Sequence, residues 1–204
     1  MRNAVSWTWF EGLFSHWCQV HLRCVHVIVS AVLVPMCGAL VSVDAAAATI
    51  EGKVIKVTDG DTITIVVKHQ KHQIRLQGID APEREQPFSR ASWRALSALL
   101  AGKQVRVEYD KRDSYGRIIG VVWVRPPNAP CDSEPCPKTL DAGLNQLTVG
   151  MAWWYRYYAS EQTREERVRY EFAEAEAKSR KAGLWADSDP TPPWYWRRKR
   201  RSKR

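Results

Sequence analysis

The sequence predicts an α+β fold: a five-stranded OB-type β-barrel with about three helices packed on it. Three observations carry this expectation. Hydrophobic periodicity runs strand, strand, strand, helix, strand, strand, the order of a barrel whose helix lies between its third and fourth strands. Two more helical patterns follow the fifth strand. Setting aside residues 1–48 leaves 156 of the 204 residues, enough for one domain with a real core and few disulfides.

Residues 1–48 are expected to be a signal peptide or a membrane anchor. Positions 25–43 are largely apolar, Arg23 precedes them, and Asp44 is followed by four alanines. A basic flank, an apolar stretch and small residues at its exit suit a cleaved secretory signal, and Pro35 favours cleavage. An uncleaved anchor is the alternative, since about 20 apolar residues can span a bilayer. The chain is therefore expected to be exported, periplasmic or extracellular, with membrane attachment only if this segment is retained.

Positions 50–58 and 62–68 alternate apolar and polar residues across the turn signal Asp59-Gly60, and positions 73–79 form a third such run. Pro82, Pro87 and Ser89 break the pattern. Ala91, Leu96, Leu99 and Leu100 then recur at helical spacing and stop at Gly102. Positions 105–109 and 118–124 alternate again. The proline-rich loop 125–139 holds Cys131 and Cys136, the two cysteines that follow the leader. In an exported protein they are expected to form a disulfide. A zinc site would need further ligands, and no histidine lies near this loop in sequence.

Positions 140–149 read as a short helix ending at Gly150, and 160–182 as a longer one. The longer helix carries a possible capping box, Thr163-x-x-Glu166, and a stop at Gly183. Residues 49–188 thus make the domain, and 189–204 a tail containing proline, tryptophan and many basic residues. Of the net charge of +9, seven positive charges lie in residues 197–204. Such a tail is either a solvated, disordered end or an element that attracts nucleic acid and other acidic partners. No oligomer interface is legible, and a monomer is expected.

Four short pieces carry polar chemistry: Asp59-Gly60-Asp61-Thr62, Ile74-Arg75-Leu76, Asp80-Ala81-Pro82-Glu83 and Tyr115-Gly116-Arg117. Each alone has a structural explanation as a turn, a strand end or a solvated side chain. Together they say more. Asp61 opens the second strand and Asp80 closes the third, so adjacent strands can bring both carboxylates to one barrel end. Two carboxylates, a main-chain carbonyl and waters suit calcium. Histidines of the body are confined to His69 and His72 in a hairpin, so a carboxylate must serve as base, and Glu83 is placed for it. Arg75 and Arg117 suit a phosphate, which they can grip in fork geometry. Arg75 and Asp80 are five apart, which regular pleating puts on opposite faces. Gly78 is the natural place for a kink that lets them converge.

These residues resemble the staphylococcal nuclease (thermonuclease-like) family. The motifs are Val57-Thr58-Asp59-Gly60-Asp61-Thr62, Arg75-Leu76 through Ile79-Asp80-Ala81-Pro82-Glu83, and Asp113-Ser114-Tyr115-Gly116-Arg117. The likeness continues through Gly150-Met151-Ala152-Trp153, Glu174-Ala175-Glu176-Ala177 and Gly183-Leu184-Trp185. The resemblance implies an OB-fold, calcium-dependent endonuclease that acts on DNA and RNA and leaves 3′-phosphate ends. It implies that Asp61 and Asp80 bind calcium through carboxylates and Ala81 through its carbonyl. Glu83 is then the general base, Arg75 and Arg117 bind phosphate, Tyr115 lies along the nucleotide site, and a tyrosine within Trp154-Tyr155-Arg156-Tyr157-Tyr158, placed here at Tyr155, stacks on a base. Two departures stand out: Ser114 where known members carry lysine, and Ala81 where threonine is common. The rival reading is a non-catalytic OB-fold module that only binds nucleic acid. Such a module has no need of Asp61, Asp80 and Glu83, whose charge repels phosphate unless a metal is present.

Overall fold

A computed structural model describes residues 47–131 and 135–202. The expected signal or anchor falls almost wholly on residues 1–46, outside the described residues.

Three antiparallel strands start the fold: β1 (Ala48–Val57), β2 (Thr62–Val67) and β3 (Gln70–Leu76). After a two-residue strand β4 (Ile79–Asp80) and helix α1 (Ser89–Leu100) come β5 (Gln104–Arg112) and β6 (Ile118–Val124). Strand β5 pairs with both β1 and β6, and β3 runs parallel to β6 from Ile74 opposite Ile118 to Leu76 opposite Gly120. That last pairing closes β1, β2, β3, β5 and β6 into the five-stranded barrel expected from the periodicity. The alternation supplies the core directly: Ile63, Ile65, Ile74, Leu76, Val105, Val107, Ile118 and Val122 are all buried. Leu96, Leu99 and Leu100, the apolar stripe of α1, pack onto the same core.

The later elements depart from the expected boundaries, each for a local reason. Leu140–Asp141 form strand β7 against β6, so helix α2 (Ala142–Thr148) starts two residues late. The Asp141 carboxylate caps it, accepting from the main-chain nitrogens of Gly143 and Leu144 at 2.8 and 3.1 Å. The expected 160–182 helix is shorter, α3 (Arg164–Ser179), because Thr163 is extended and closes the capping box with Glu166. A 3₁₀ turn, Arg156–Glu161, precedes it. Strand β8 (Trp153–Trp154) pairs with β4, placing Asp80 opposite Trp153. Cys131 and Cys136 form the expected disulfide, with Cα atoms 5.6 Å apart.

The C-terminal stretch is not a bare tail. Residues Pro193–Arg201 form helix α4, with Pro193 at its first turn where a missing N–H costs nothing.

Strand three does not run on to Asp80 as the sequence suggests. It stops at Leu76, because Gly78 takes a left-handed backbone conformation, φ +74°, that breaks the ladder. A Cβ at Gly78 would lie 2.4 Å from Gln162 Nε2 and 3.0 Å from Tyr170 Cε1. Gly78→Ala is expected to destabilise the fold by about 1–3 kcal/mol through backbone strain. Thermal denaturation should show a fall in Tm of roughly 3–10 °C; an unchanged Tm would show that the turn adapts.

Candidate functional site

The register of β2 against β3 builds the first half of the site. Thr62 sits opposite Arg75, and the Leu76 N–H donates to the Asp61 carbonyl at 2.8 Å. The acid at the head of β2 and the arginine near the end of β3 thus lie side by side. Below them Gly60 is packed so closely that a Cβ would lie 1.8 Å from Ser92 Oγ of α1. Gln146 of α2 reinforces this contact, donating from Nε2 to the Gly60 carbonyl at 2.9 Å.

The Gly78 turn builds the second half. It returns the chain so that Asp80 faces Arg75, whose Nη2 donates to Asp80 Oδ1 at 2.8 Å. Arg75 Nη1 makes an ion pair with Asp61 Oδ2. Ala81 N–H donates to the same Asp61 oxygen at 2.7 Å, and Thr62 Oγ1 donates to Asp61 Oδ1 at 3.0 Å. Strand β8 holds β4 from behind: Tyr155 N–H donates to the Gly78 carbonyl at 2.9 Å. Glu174 of α3, itself buried, accepts from Trp154 N–H at 3.0 Å and from Arg156 Nη1 at 2.8 Å. The kink expected from Gly78 therefore does bring Arg75 and Asp80 together.

Electrostatics at this end are dominated by buried negative charge. Asp61 is 6% exposed and Asp80 only 1%. Burial pushes the Asp80 carboxyl upward, against a hydrogen bond from Arg197 and the charge of Arg75. Asp59 is raised to about 7, first by burial and then by the charge of Asp61. Burial works against the Arg75 charge, but Asp61, Asp80 and Asp59 outweigh it and hold its pKa above the ordinary arginine value.

Glu83 follows in the loop after β4, half-exposed, with its N–H donating to Gln86 Oε1 at 3.0 Å. Arg117 lies in a turn organised by Asp113, whose Oδ1 accepts from the Tyr115 and Arg117 main-chain nitrogens, each at 3.0 Å. Arg117 Nε donates to Asp113 Oδ2 at 2.7 Å. Tyr115 is 83% exposed, with the Arg117 guanidinium carbon 5.5 Å from its ring centre. Tyr155 stacks on Trp194 of α4, centroids 5.5 Å apart and planes 16° apart. All eight residues expected from sequence border one cleft of about 890 Å³. His69, in the β2–β3 turn, is a full strand length away, roughly 20 Å from Asp61 at strand rise. No histidine is offered as a base from there.

Three residues at this site were not anticipated. Asp59 reads in sequence as a hairpin turn, yet it borders the cleft beside Asp61; the Asp-Gly-Asp spacing was the available signal. Arg197 and Trp194 come from the C-terminal helix, and nothing in their local sequence points to the barrel. Arg197 Nη1 and Nη2 donate to Asp80 Oδ1 and Oδ2 at 3.2 and 2.9 Å. Arg197 Nη1 also donates to Glu83 Oε1 at 2.6 Å.

A cluster of buried carboxylates beside a main-chain carbonyl is chemistry for a hard cation. Two guanidinium groups already crowd onto it, which shows how strongly the position draws positive charge. Among the described residues no three His, Cys, Asp or Glu side chains are grouped as a closed metal cage. Two carboxylates and one carbonyl would leave the remaining ligands to water and phosphate.

Residues 73–187 match the family described as staphylococcal nuclease homologue. A protein of Escherichia coli named as an uncharacterized endonuclease is 37% identical over 153 residues, covering 75% of this chain and 88% of that one. A micrococcal nuclease of Shigella flexneri is 38% identical over 153 residues, covering 74% and 82%. Protein ParB of Escherichia coli is 36% identical over 165 residues, covering 81% and 89%.

Proposed function

Because the chain belongs to the staphylococcal nuclease family and is a nuclease, we propose that it is a calcium-dependent endonuclease that cleaves DNA and RNA and leaves 3′-phosphate ends. The observation that carries this reading is the meeting of Asp61, Asp80, Arg75 and Glu83 at one barrel end, with Arg117 on the rim of the same cleft. A module that only binds nucleic acid would gain nothing from three acids facing its phosphates.

The roles follow from the chemistry of each group. Asp61 and Asp80, with the Ala81 carbonyl, would hold the metal; carboxylate and carbonyl oxygens are what calcium takes. When bound, the ion neutralises charge on the phosphate and lowers the pKa of a nearby water. Glu83 accepts a proton from the attacking water as its oxygen bonds to phosphorus. The bond from phosphorus to the 5′ oxygen breaks, so the phosphate stays on the 3′ side. Arg75 and Arg117 donate to the phosphoryl oxygens as charge builds, and one of them assists the leaving oxygen. Tyr115 flanks the nucleotide, and Tyr155 offers a ring face for a base. Ser114 cannot supply the charge of a lysine, so contact with a terminal phosphate is weak.

The deciding experiment is cleavage of single-stranded DNA and of RNA with calcium or with chelator, followed by analysis of the product ends. Cleavage that requires calcium and yields 3′-phosphates is expected. Full activity in chelator, or 5′-phosphate ends, would overturn the calcium chemistry and leave only the nuclease assignment.

A further inference from the structure

Helix α4 meets the cleft at three of its expected site residues, Asp80, Glu83 and Tyr155. Its entry is pinned by Gln86, which is buried and donates to the Thr191 carbonyl at 2.5 Å while accepting from the Glu83 N–H. Trp194 lies flat on Tyr155, the ring placed to stack on a base. Arg197 takes Asp80 by both oxygens and Glu83 by one. Further out, Arg200 pairs with Glu85 at 3.3 Å.

These contacts take up most of the acceptor capacity of Asp61 and Asp80. Asp80 Oδ1 accepts from Arg75 and Arg197, and Oδ2 accepts from Arg197. Asp61 accepts from Thr62 and Ala81 and pairs with Arg75. Glu83 Oε1, a proton acceptor in the reaction, is held by a guanidinium. A guanidinium keeps its charge throughout the pH range in which proteins stay folded, so Arg197 does not leave by losing a proton. It must leave by movement.

We propose that α4 is an intrachain strap that occupies the metal and base positions of the active site, and that calcium and the strap compete for the Asp80 carboxylate while Arg197 also holds the Glu83 base. Arg197 serves as a tethered cation and Trp194 as a tethered base. The proposal rests on the calcium reading given above. The contacts are suited to release. Arg197 is one-third exposed, Arg200 and Glu85 lie at the surface, and the Trp194–Tyr155 stack can be exchanged for a nucleotide base. Once released, Arg198, Lys199, Arg200 and Arg201 offer positive charge to the phosphates of a bound strand. Metal and polyanion together would then favour the open chain, while either alone works against the strap's contacts.

The test is calorimetric calcium titration of the full chain, of Arg197→Gln and of Asp80→Asn, with trypsin digestion of the full chain followed with and without calcium. If the strap covers the acids in about 90–99% of molecules, its removal raises apparent affinity by the inverse of the open fraction. Arg197→Gln is therefore expected to bind calcium about 10–100-fold more tightly, and Asp80→Asn to lose binding. Calcium should also speed tryptic cutting within α4 of the unmodified chain. That second readout separates displacement of the helix from the mere loss of a nearby positive charge. Unchanged or weaker calcium binding in Arg197→Gln, with Asp80→Asn still inactive in binding, overturns the strap but leaves the metal site standing. A tryptic rate that calcium does not alter also overturns the strap. No calcium binding by either the unmodified chain or Arg197→Gln overturns the calcium reading, and the strap with it.

Discussion

Glu83→Gln is expected to lower cleavage at saturating calcium and substrate by about 10²–10⁴-fold, the range for loss of a general base. Glutamine keeps the size of the side chain and can still accept a hydrogen bond, but it cannot take the proton from water. It also weakens the hold on Arg197, since the 2.6 Å contact loses its charge. Calcium binding should therefore be kept or tightened while turnover collapses. That opposite movement is the signature of a base that is not a metal ligand. Full turnover in the variant would remove Glu83 from the mechanism, and loss of calcium binding would reassign it as a ligand.

The second large effect separates the two arginines, which sequence alone treats as equivalent. Arg117→Ala should cost about 10²–10³-fold in kcat, as for loss of one donor to a charged transition state. Its surroundings are a surface turn whose partner, Asp113, is partly exposed and keeps its main-chain hydrogen bonds from Tyr115 and residue 117, so Tm should hardly change. Arg75→Ala should cost at least as much in activity and also destabilise the fold by about 3–5 kcal/mol, because it strips the partner from buried carboxylates. Asp80 is 1% exposed and loses one of its two guanidinium partners. Adding calcium should restore part of the lost Tm, since a cation can answer the same charge. Equal thermal stability of the two variants would show that Asp61 and Asp80 do not depend on Arg75 for their charge balance.

How far the sequence could be read depended on the range of each interaction. The barrel was legible because every strand buries one face, so alternation appears within a few neighbouring residues, as in Ile63 and Ile65 or Val105 and Val107. The Thr163 capping box was legible because a cap is closed within one turn. The convergence of Arg75 on Asp80 was anticipated from Gly78, though as a kink in one strand rather than a turn between two strands. Asp59 does sit in the expected turn, but its place beside Asp61 on the cleft was not legible, because a turn acid reads the same in sequence whichever way it faces. Only the packing of α1 and α2 over Gly60 shows the difference.

By itself the sequence determined the barrel, the order of its elements, the disulfide pair and the set of acids and arginines fit for a phosphodiester. Those are consequences of local periodicity, of loop chemistry and of residue type. Tertiary structure alone decided which charges touch. Arg197 lies 117 residues from Asp80 in the chain, yet it holds both oxygens of that carboxylate. A run of arginines and lysines looks the same in sequence whether water or a buried acid receives it. The burial of Asp80 selects a cationic partner, and the path of the chain through Pro192 into α4 delivers Arg197 to it.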